Sequence, residues 1–160
     1  MRFDSPPQPE DLAGRRVAVV GLAREGRAVT RMLVRDVPDV DIVGIDQNEG
    51  EASAEWAKEF GLPVLICPDG TGVPEDIDVA VMSPGIPPHS ALHQAIAGED
   101  VWLTSGTALF LARHHDRVIG VTGSKGKSTT SAVVHHVLAA HGLDVAYGGN
   151  VGVPLWDLPE

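Results

Sequence analysis

The sequence predicts an α/β fold in which a parallel sheet is flanked by helices. Short apolar runs rich in β-branched residues alternate with segments of helical periodicity along most of the 160 residues. Glycine-rich turns follow several of these runs, where strands are expected to pass into helices. Strands and helices that alternate at this spacing form right-handed βαβ units, and the strands then pair in parallel.

The first βαβ unit follows a lead-in. Residues 1–14 are rich in proline and acidic residues and are predicted to be mobile. Residues 16–21 are short and apolar, which is typical of a strand buried on both faces. Residues 25–36 carry apolar side chains at positions i, i+1, i+4 and i+5, which form one stripe of a helix. Residues 41–46 are predicted to form the second strand.

The same alternation continues to residue 116. A second helix is predicted for residues 51–60, because Gly61-Leu62-Pro63 ends it. The fourth apolar run ends in the turn Ser83-Pro84-Gly85. The remaining predicted elements are strands at residues 63–66, 78–82 and 101–103, and helices at residues 90–97 and 106–114.

The pattern then restarts at residue 117. A strand is predicted for residues 117–122, a helix for residues 129–140 with Gly142 after its end, and a strand beginning at residues 144–147. Two strands and one helix cannot cover both faces of a sheet. Residues 1–116 are therefore predicted to be one domain, and residues 117–160 the opening βαβ of a second domain that is incomplete here.

Composition and charge limit the class of protein. The chain has 12 Lys+Arg against 22 Asp+Glu, a formal net charge of −10, which argues against a general binder of nucleic acid or anionic membranes. Its single cysteine, Cys67, cannot form an internal disulfide. No apolar run reaches the length of a membrane span, and the first residues lack the apolar core of a signal peptide. A cytoplasmic protein is therefore expected.

The strongest motif lies between the strand and the helix of the second unit. It is the run Gly123-Ser124-Lys125-Gly126-Lys127-Ser128-Thr129, a short phosphate loop, or P-loop. Glycines let backbone N–H groups turn towards an anion, and the helix N-terminus adds positive potential. Lys127 is predicted to reach the β- and γ-phosphates of ATP, and the hydroxyl of Ser128 or Thr129 to reach Mg²⁺. The alternative is a tight turn with two exposed lysines.

Two further turns are predicted to lie at the ligand-binding edge of the first sheet. The run Gly21-Leu22-Ala23-Arg24-Glu25-Gly26 follows the first strand, and Asp46 ends the second, where Rossmann-like units place an acid that contacts the ligand. Ser83-Pro84-Gly85 follows the fourth strand at the same edge. The alternative for both turns is a purely structural role. The seven histidines lack a completing cluster of cysteines or acids, so a metal site is not predicted for them.

These motifs, in this order, resemble those of the Mur ligases of peptidoglycan synthesis. The resemblance also includes Gly148-Gly149-Asn150-Val151-Gly152 and covers about residues 14–160. The resemblance is greatest for the glutamate-adding branch of the family. The sequence departs from the family pattern at Ala23, Lys125 and Ala108. The resemblance implies that the chain is the N-terminal part of an ATP-dependent acid–amino-acid ligase and is inactive alone. A paralogue with a related substrate, a P-loop NTPase with another acceptor, and a non-catalytic UDP-sugar- or dinucleotide-binding module are the alternatives.

The resemblance also implies substrates and site residues. The first domain, Rossmann-like, would bind the UDP part of UDP-N-acetylmuramoyl-L-alanine, to which D-glutamate is added through an acyl phosphate. ATP and Mg²⁺ would bind the P-loop, with Lys127 as the catalytic residue. No nucleic acid or membrane partner is implied. The UDP-sugar residues would be Gly21, Leu22, Ala23 and Arg24 at the diphosphate, Asp46 at the uracil, Ser83, Pro84 and Gly85 in the same cleft, and Asn150 near the muramoyl group.

Overall fold

A parallel five-stranded sheet forms the centre of the molecule. The computed structural model describes residues 7–97, 100–149 and 152–159. In these residues the strand order is β3-β2-β1-β4-β5, and every neighbouring pair is parallel. The predicted α/β fold with a Rossmann-like parallel sheet is thereby confirmed. The strands are β1 (Arg16–Val20), β2 (Asp41–Asp46), β3 (Val64–Ile66), β4 (Val79–Met82) and β5 (Trp102–Thr104).

The helices follow the predicted ones closely, with small differences at their ends. The third helix is one residue shorter at each end than predicted, and the last begins at Lys127, two residues earlier than predicted. The fifth strand is displaced by one residue from the predicted one. Such ends depend on the packing of each element and not on periodicity alone. The helices are α1 (Arg24–Asp36), α2 (Glu51–Phe60), α3 (Ala91–Ile96), α4 (Gly106–His114) and α5 (Lys127–Ala140).

The sheet separates two layers of apolar core. Val17 and Val19 of β1 face a core that contains Trp56 of α2 and Leu109 of α4. The alternate residues of the same strand face the opposite core, to which α3 contributes Leu92. Because both faces of β1 are covered, residues 17–20 are apolar without alternation, as the sequence indicated.

The strand order places a crevice beside the central strand. From β1 the chain runs outwards to β2 and β3, and then returns to β4 on the other side of β1. The connections that leave the carboxyl ends of β1 and β4 therefore diverge to opposite sides. In open α/β sheets this point is where ligands bind.

Residues 9–12 of the lead-in form a packed turn, contrary to the prediction that this segment is mobile. Pro9–Leu12 forms a 3-10 turn, and Leu12 is fully buried in the core. Nearby, Asp36 accepts hydrogen bonds of 2.6 Å from both Arg35 and Arg113. The Arg113 guanidinium also bonds Glu10 of the turn. A buried leucine and an ion-pair network therefore hold this segment to the ends of α1 and α4.

The Asp36 network predicts an acid-sensitive contribution to stability. The hydrogen bond from Arg35, and then that from Arg113, hold the pKa of Asp36 below its ordinary value of 3.8. The carboxylate therefore stabilises the fold at pH values above 3.8, and this contribution is lost as the pH falls through the lowered pKa. We expect Asp36→Asn to lower the free energy of unfolding at pH 7 by about 1 kcal/mol.

Urea denaturation at pH 7 and at a pH below the lowered pKa of Asp36 would measure this effect. The difference between wild type and Asp36→Asn is expected to shrink at the lower pH, because both then lack the carboxylate charge. Asp116→Asn, at an exposed aspartate, is the matched control. An equal loss of stability in Asp36→Asn at both pH values would contradict the proposed role of the charge.

The second unit, residues 117–160, differs from the predicted opening βαβ in the residues that the structure describes. Among the described residues, those at 117–122 and 144–147 do not form strands, so the predicted opening βαβ is present only as its helix, α5. A strand requires a hydrogen-bonded neighbour, and the two segments find none in this part of the chain. Apolar side chains of α5 and its flanks remain largely exposed, including Ile119 at 66% and Val133 at 57%.

Candidate functional site

The candidate site lies at the carboxyl ends of β1 and β4. The Ser83 hydroxyl donates a hydrogen bond of 2.9 Å to the carbonyl oxygen of Gly21. Gly21 has a φ of +88°, and a Cβ at this position would lie 2.8 Å from the Cβ of Ser83. The turns after the two strands are therefore in direct contact. The sequence predicted each turn at this edge of the sheet but did not predict the contact between them.

Gly26 allows α1 to begin close to the preceding turn. A Cβ on Gly26 would lie only 2.1 Å from the carbonyl oxygen of Gly21. The carbonyl oxygen of Gly26 accepts a hydrogen bond from Thr30, whose hydroxyl accepts one from the indole N–H of Trp56. Both side chains are fully buried. Close packing, rather than a ligand, therefore requires a glycine at this position.

Asp46 organises the first turn from the neighbouring strand. One of its carboxylate oxygens accepts from the backbone N–H of Leu22 at 2.9 Å, and the other from that of Asn48 at 3.2 Å. The Leu22 side chain is fully buried, so it anchors the turn in the core. Since a carboxylate has about four acceptor positions, these two bonds leave capacity on both oxygens for a ligand.

The other predicted residues of this edge are solvent-accessible. Ala23 precedes α1 in extended conformation and makes no side-chain capping bond, and Arg24 begins the helix. The first N–H groups of a helix have no partner within it, so an anion could accept from them. Pro84 and Gly85 are exposed. Asn150 lies outside the described residues.

A recess connects this edge to the N-terminus of α4. It is lined on one side by Ser83 and Pro84, and on the other by Glu25 and residues 105–107. Burial raises the pKa of the Glu25 carboxyl, the charge of Arg24 opposes this shift, and that of Asp157 adds to it. The sequence analysis assigned no role to Glu25 or to residues 105–107. The signal was available, because α4 follows β5 at the carboxyl edge of the same sheet.

The glycine-lysine loop forms a separate candidate site at the start of α5. Gly126 precedes the helix in left-handed conformation, with a φ of +77°. The ammonium group of Lys127 donates a hydrogen bond of 2.6 Å to the carbonyl oxygen of Gly123, which places the cation over the loop. Tyr147 donates to the carbonyl oxygen of Ser128 and so ties the helix start to the segment after α5. Residues 122–130 are all exposed.

Cys67 and the histidines do not form a reactive centre in the part of the chain that the structure describes. Cys67 is buried, and its burial raises the pKa of the thiol, which disfavours the reactive thiolate. Among the described residues no group of three histidine, cysteine or acidic side chains could hold a metal ion. No helix in this part of the chain has both the length and the apolar character needed to cross a bilayer.

Comparison with known proteins finds similar chains among enzymes of one kind. No family model matches the chain. The chain is 40% identical over 152 residues to UDP-N-acetylmuramoyl-L-alanine–L-glutamate ligase of Micromonospora sp., an alignment that covers 94% of this chain and 33% of the relative. It is 40% identical over 151 residues to the protein of the same name from Salinispora tropica, covering 93% of this chain and 34% of that one.

A relative named for D-glutamate, and not for L-glutamate, is nearly as similar. The chain is 37% identical over 155 residues to UDP-N-acetylmuramoylalanine–D-glutamate ligase of Paramagnetospirillum magneticum, covering 93% of this chain and 32% of the relative. The chain therefore spans about a third of the length of the curated relatives it matches.

Proposed function

Because this chain belongs to the Mur ligase family and spans about a third of the length of its relatives, we propose that it is the sugar-nucleotide-binding and ATP-binding part of a glutamate ligase. The complete enzyme would join glutamate to UDP-N-acetylmuramoyl-L-alanine in peptidoglycan synthesis, in the cytoplasm. The observation that carries the proposal is the contact between Gly21 and Ser83, which unites two family motifs at the switch point of the sheet. The mostly exposed apolar side chains of the second unit fit a domain completed by further residues.

The first unit, residues 1–116, would bind the UDP moiety. The N-terminus of α1 offers backbone N–H groups to the diphosphate, and Arg24 adds a positive charge in a chain of net charge −10. Asp46 would hold the turn through Leu22 and also accept from the uracil N–H. Ser83 would contribute chiefly by position, because its hydroxyl hydrogen already bonds Gly21. Pro84 and Gly85 would line the same cleft, and Asn150 would contact the muramoyl end.

The second unit, residues 117–160, would bind ATP and Mg²⁺. The residues present fit this role, since Lys127 lies over an exposed glycine loop at a helix start. Backbone N–H groups at residues 123–129 would bind the phosphates, and the hydroxyl of Ser128 would bind Mg²⁺, with that of Thr129 beside it. The ammonium group of Lys127 has three N–H donors, so it can bind an anionic phosphate oxygen through a charge-assisted bond while one donor stays on the carbonyl oxygen of Gly123.

Transfer of the γ-phosphoryl group of ATP to the substrate carboxylate would give an acyl phosphate and release ADP. A carboxylate is a poor electrophile, and phosphorylation gives it a leaving group. The amine of glutamate then attacks the carbonyl carbon, and phosphate leaves. Lys127 would stabilise negative charge that develops on the transferred group.

The test uses phosphate release by the full-length ligase. We expect release only when ATP, UDP-N-acetylmuramoyl-L-alanine and glutamate are present together. Separate reactions with D- and L-glutamate decide which stereoisomer is added, since the relatives are named for both. Phosphate release without dependence on the UDP-sugar or on glutamate would contradict the proposal.

Calorimetry of the 160-residue chain tests nucleotide binding without the rest of the ligase. We expect measurable binding of UDP and none of NAD at the same concentrations. Binding of NAD in place of UDP would instead favour a non-catalytic dinucleotide-binding module.

A further inference from the structure

The last described residues turn back onto the first unit. Leu155–Asp157 forms a 3-10 turn in which Trp156 is only 8% exposed. Its ring packs edge-on against Phe110 of α4, with centroids 5.2 Å apart. The guanidinium of Arg113 lies 5.5 Å from the centroid of the same ring. A tryptophan distant in sequence from α4 therefore completes the packing of that helix.

Two polar contacts fix the position of this turn. The indole N–H of Trp156 donates a hydrogen bond of 2.9 Å to the carbonyl oxygen of Gly106, at the start of α4. The carboxylate of Asp157 accepts one of 2.6 Å from Arg31 of α1. The turn is thus tied to α1 and α4, two of the helices that pack on this face of the sheet. We call residues 153–158 the latch.

The latch also holds the second glycine-rich segment. The N–H of Gly149 donates to the carbonyl oxygen of Val153 at 2.9 Å. A Cβ on Gly148 would lie 2.8 Å from the Leu158 side chain, so the chain folds closely back on itself. A Cβ on Gly149 would lie 3.7 Å from Leu155. Gly148 and Gly149 therefore pack against Leu158 and Leu155 of the latch, the segment that also contains Trp156.

The latch reaches the candidate ligand site through Gly106 and Glu25. Gly106, which accepts the indole hydrogen bond, lines the recess together with Ser83 and Pro84. Asp157 lies close enough to Glu25, another residue of the recess, for its charge to add to the rise in the pKa of that carboxyl. On the other side of the glycine pair, α5 contains no buried residue, and it contacts the preceding segment at Val145 and Tyr147.

We propose that the latch, anchored by Trp156, positions Gly148 and Gly149 beside the ligand-binding edge of the first unit, so that one UDP-sugar contacts both units. Trp156 is then a positioning residue. It touches α4 and not the ligand. The inference rests on the proposed function for the identity of the ligand, while the docking of the latch can be measured without a ligand.

The ligand-free test compares two carboxylates that bind the same arginine. Arg31 bonds Asp157 of the latch at 2.6 Å and Glu59 of α2 at 2.7 Å. In the 160-residue chain, we expect Asp157→Asn and Trp156→Ala to speed hydrogen exchange of the Gly149 amide severalfold. Glu59→Gln removes the other partner of Arg31 and is expected to leave this exchange unchanged. Equal exchange in Asp157→Asn and wild type would overturn the proposal.

The functional test separates UDP from the whole substrate in the full-length ligase. We expect Trp156→Ala to weaken binding of UDP-N-acetylmuramoyl-L-alanine about tenfold and Trp156→Phe, which keeps a ring but loses the indole donor, about threefold. Binding of UDP alone is expected to stay within about twofold of wild type, because the first unit suffices for it. Equal weakening of both ligands would show a merely structural role and overturn the proposal. If wild type binds neither ligand, the proposed function fails, and the exchange comparison still decides whether the latch exists.

Discussion

Replacing Lys127 by alanine in the full-length ligase is expected to reduce turnover by a factor of about 10²–10³ and to weaken ATP binding. In the structure the ammonium group lies over the loop, bonded to the carbonyl oxygen of Gly123. The variant leaves the glycines and the helix start in place and removes the cation that would face the phosphates. The loss would therefore be greatest in the transition state, where negative charge develops on the transferred group.

Phosphate release and direct titration with ATP would measure this effect. Lys58→Ala, which removes an exposed lysine from α2 in the first unit, is the control and is expected to keep wild-type activity. A circular dichroism spectrum like that of wild type would show that Lys127→Ala remains folded. Unchanged ATP affinity and turnover in this variant would contradict the assignment of the loop as a P-loop.

Replacing Gly26 by alanine is expected to lower the free energy of unfolding by about 3 kcal/mol or more. The new Cβ would lie 2.1 Å from the carbonyl oxygen of Gly21, a backbone atom that can move only with the turn and β1. In a helix alanine is otherwise preferred to glycine by about 1 kcal/mol, so helix propensity alone predicts the opposite sign. The direction of the change therefore distinguishes close packing from propensity.

Urea denaturation of the 160-residue chain would measure both the sign and the size of this effect. Gly85→Ala is the control, because no atom lies within 4 Å of its added Cβ. This control is expected to change stability by less than about 0.5 kcal/mol. Loss of UDP binding in Gly26→Ala would follow from displacement of the turn. A variant as stable as wild type would show that the turn can shift without cost.

The contact between Gly21 and Ser83 shows what the sequence could and could not reveal about the site. Each turn followed a predicted strand, so both belonged to the carboxyl edge of the sheet. That they touch follows from β4 pairing with β1, a long-range choice that periodicity does not contain. Asp46 is similar. Its place at the end of β2 was predictable, and its bond to the N–H of Leu22 required the register of β1 and β2.

In the described part of the second unit, two strands that the sequence predicted do not form. Residues 117–122 and 144–147 have the composition of strands, but composition supplies no hydrogen-bonding neighbour. Helix α5 formed as predicted apart from its first two residues, because its hydrogen bonds lie within one segment. A local pattern is therefore a better guide to a helix than to a strand.

The sequence by itself determined the elements of the first unit, the two-sided burial of β1 and the positions of the glycine turns, because these depend on neighbouring residues and on periodicity. Only the tertiary structure decided that Gly26 must be small, that Ser83 bonds Gly21, and that Trp156 docks on α4. Trp156 follows the end of α4 by 42 positions, and no local signal marks its partner. Such contacts arise when the folded sheet brings distant segments together, and burial of apolar surface then selects among them.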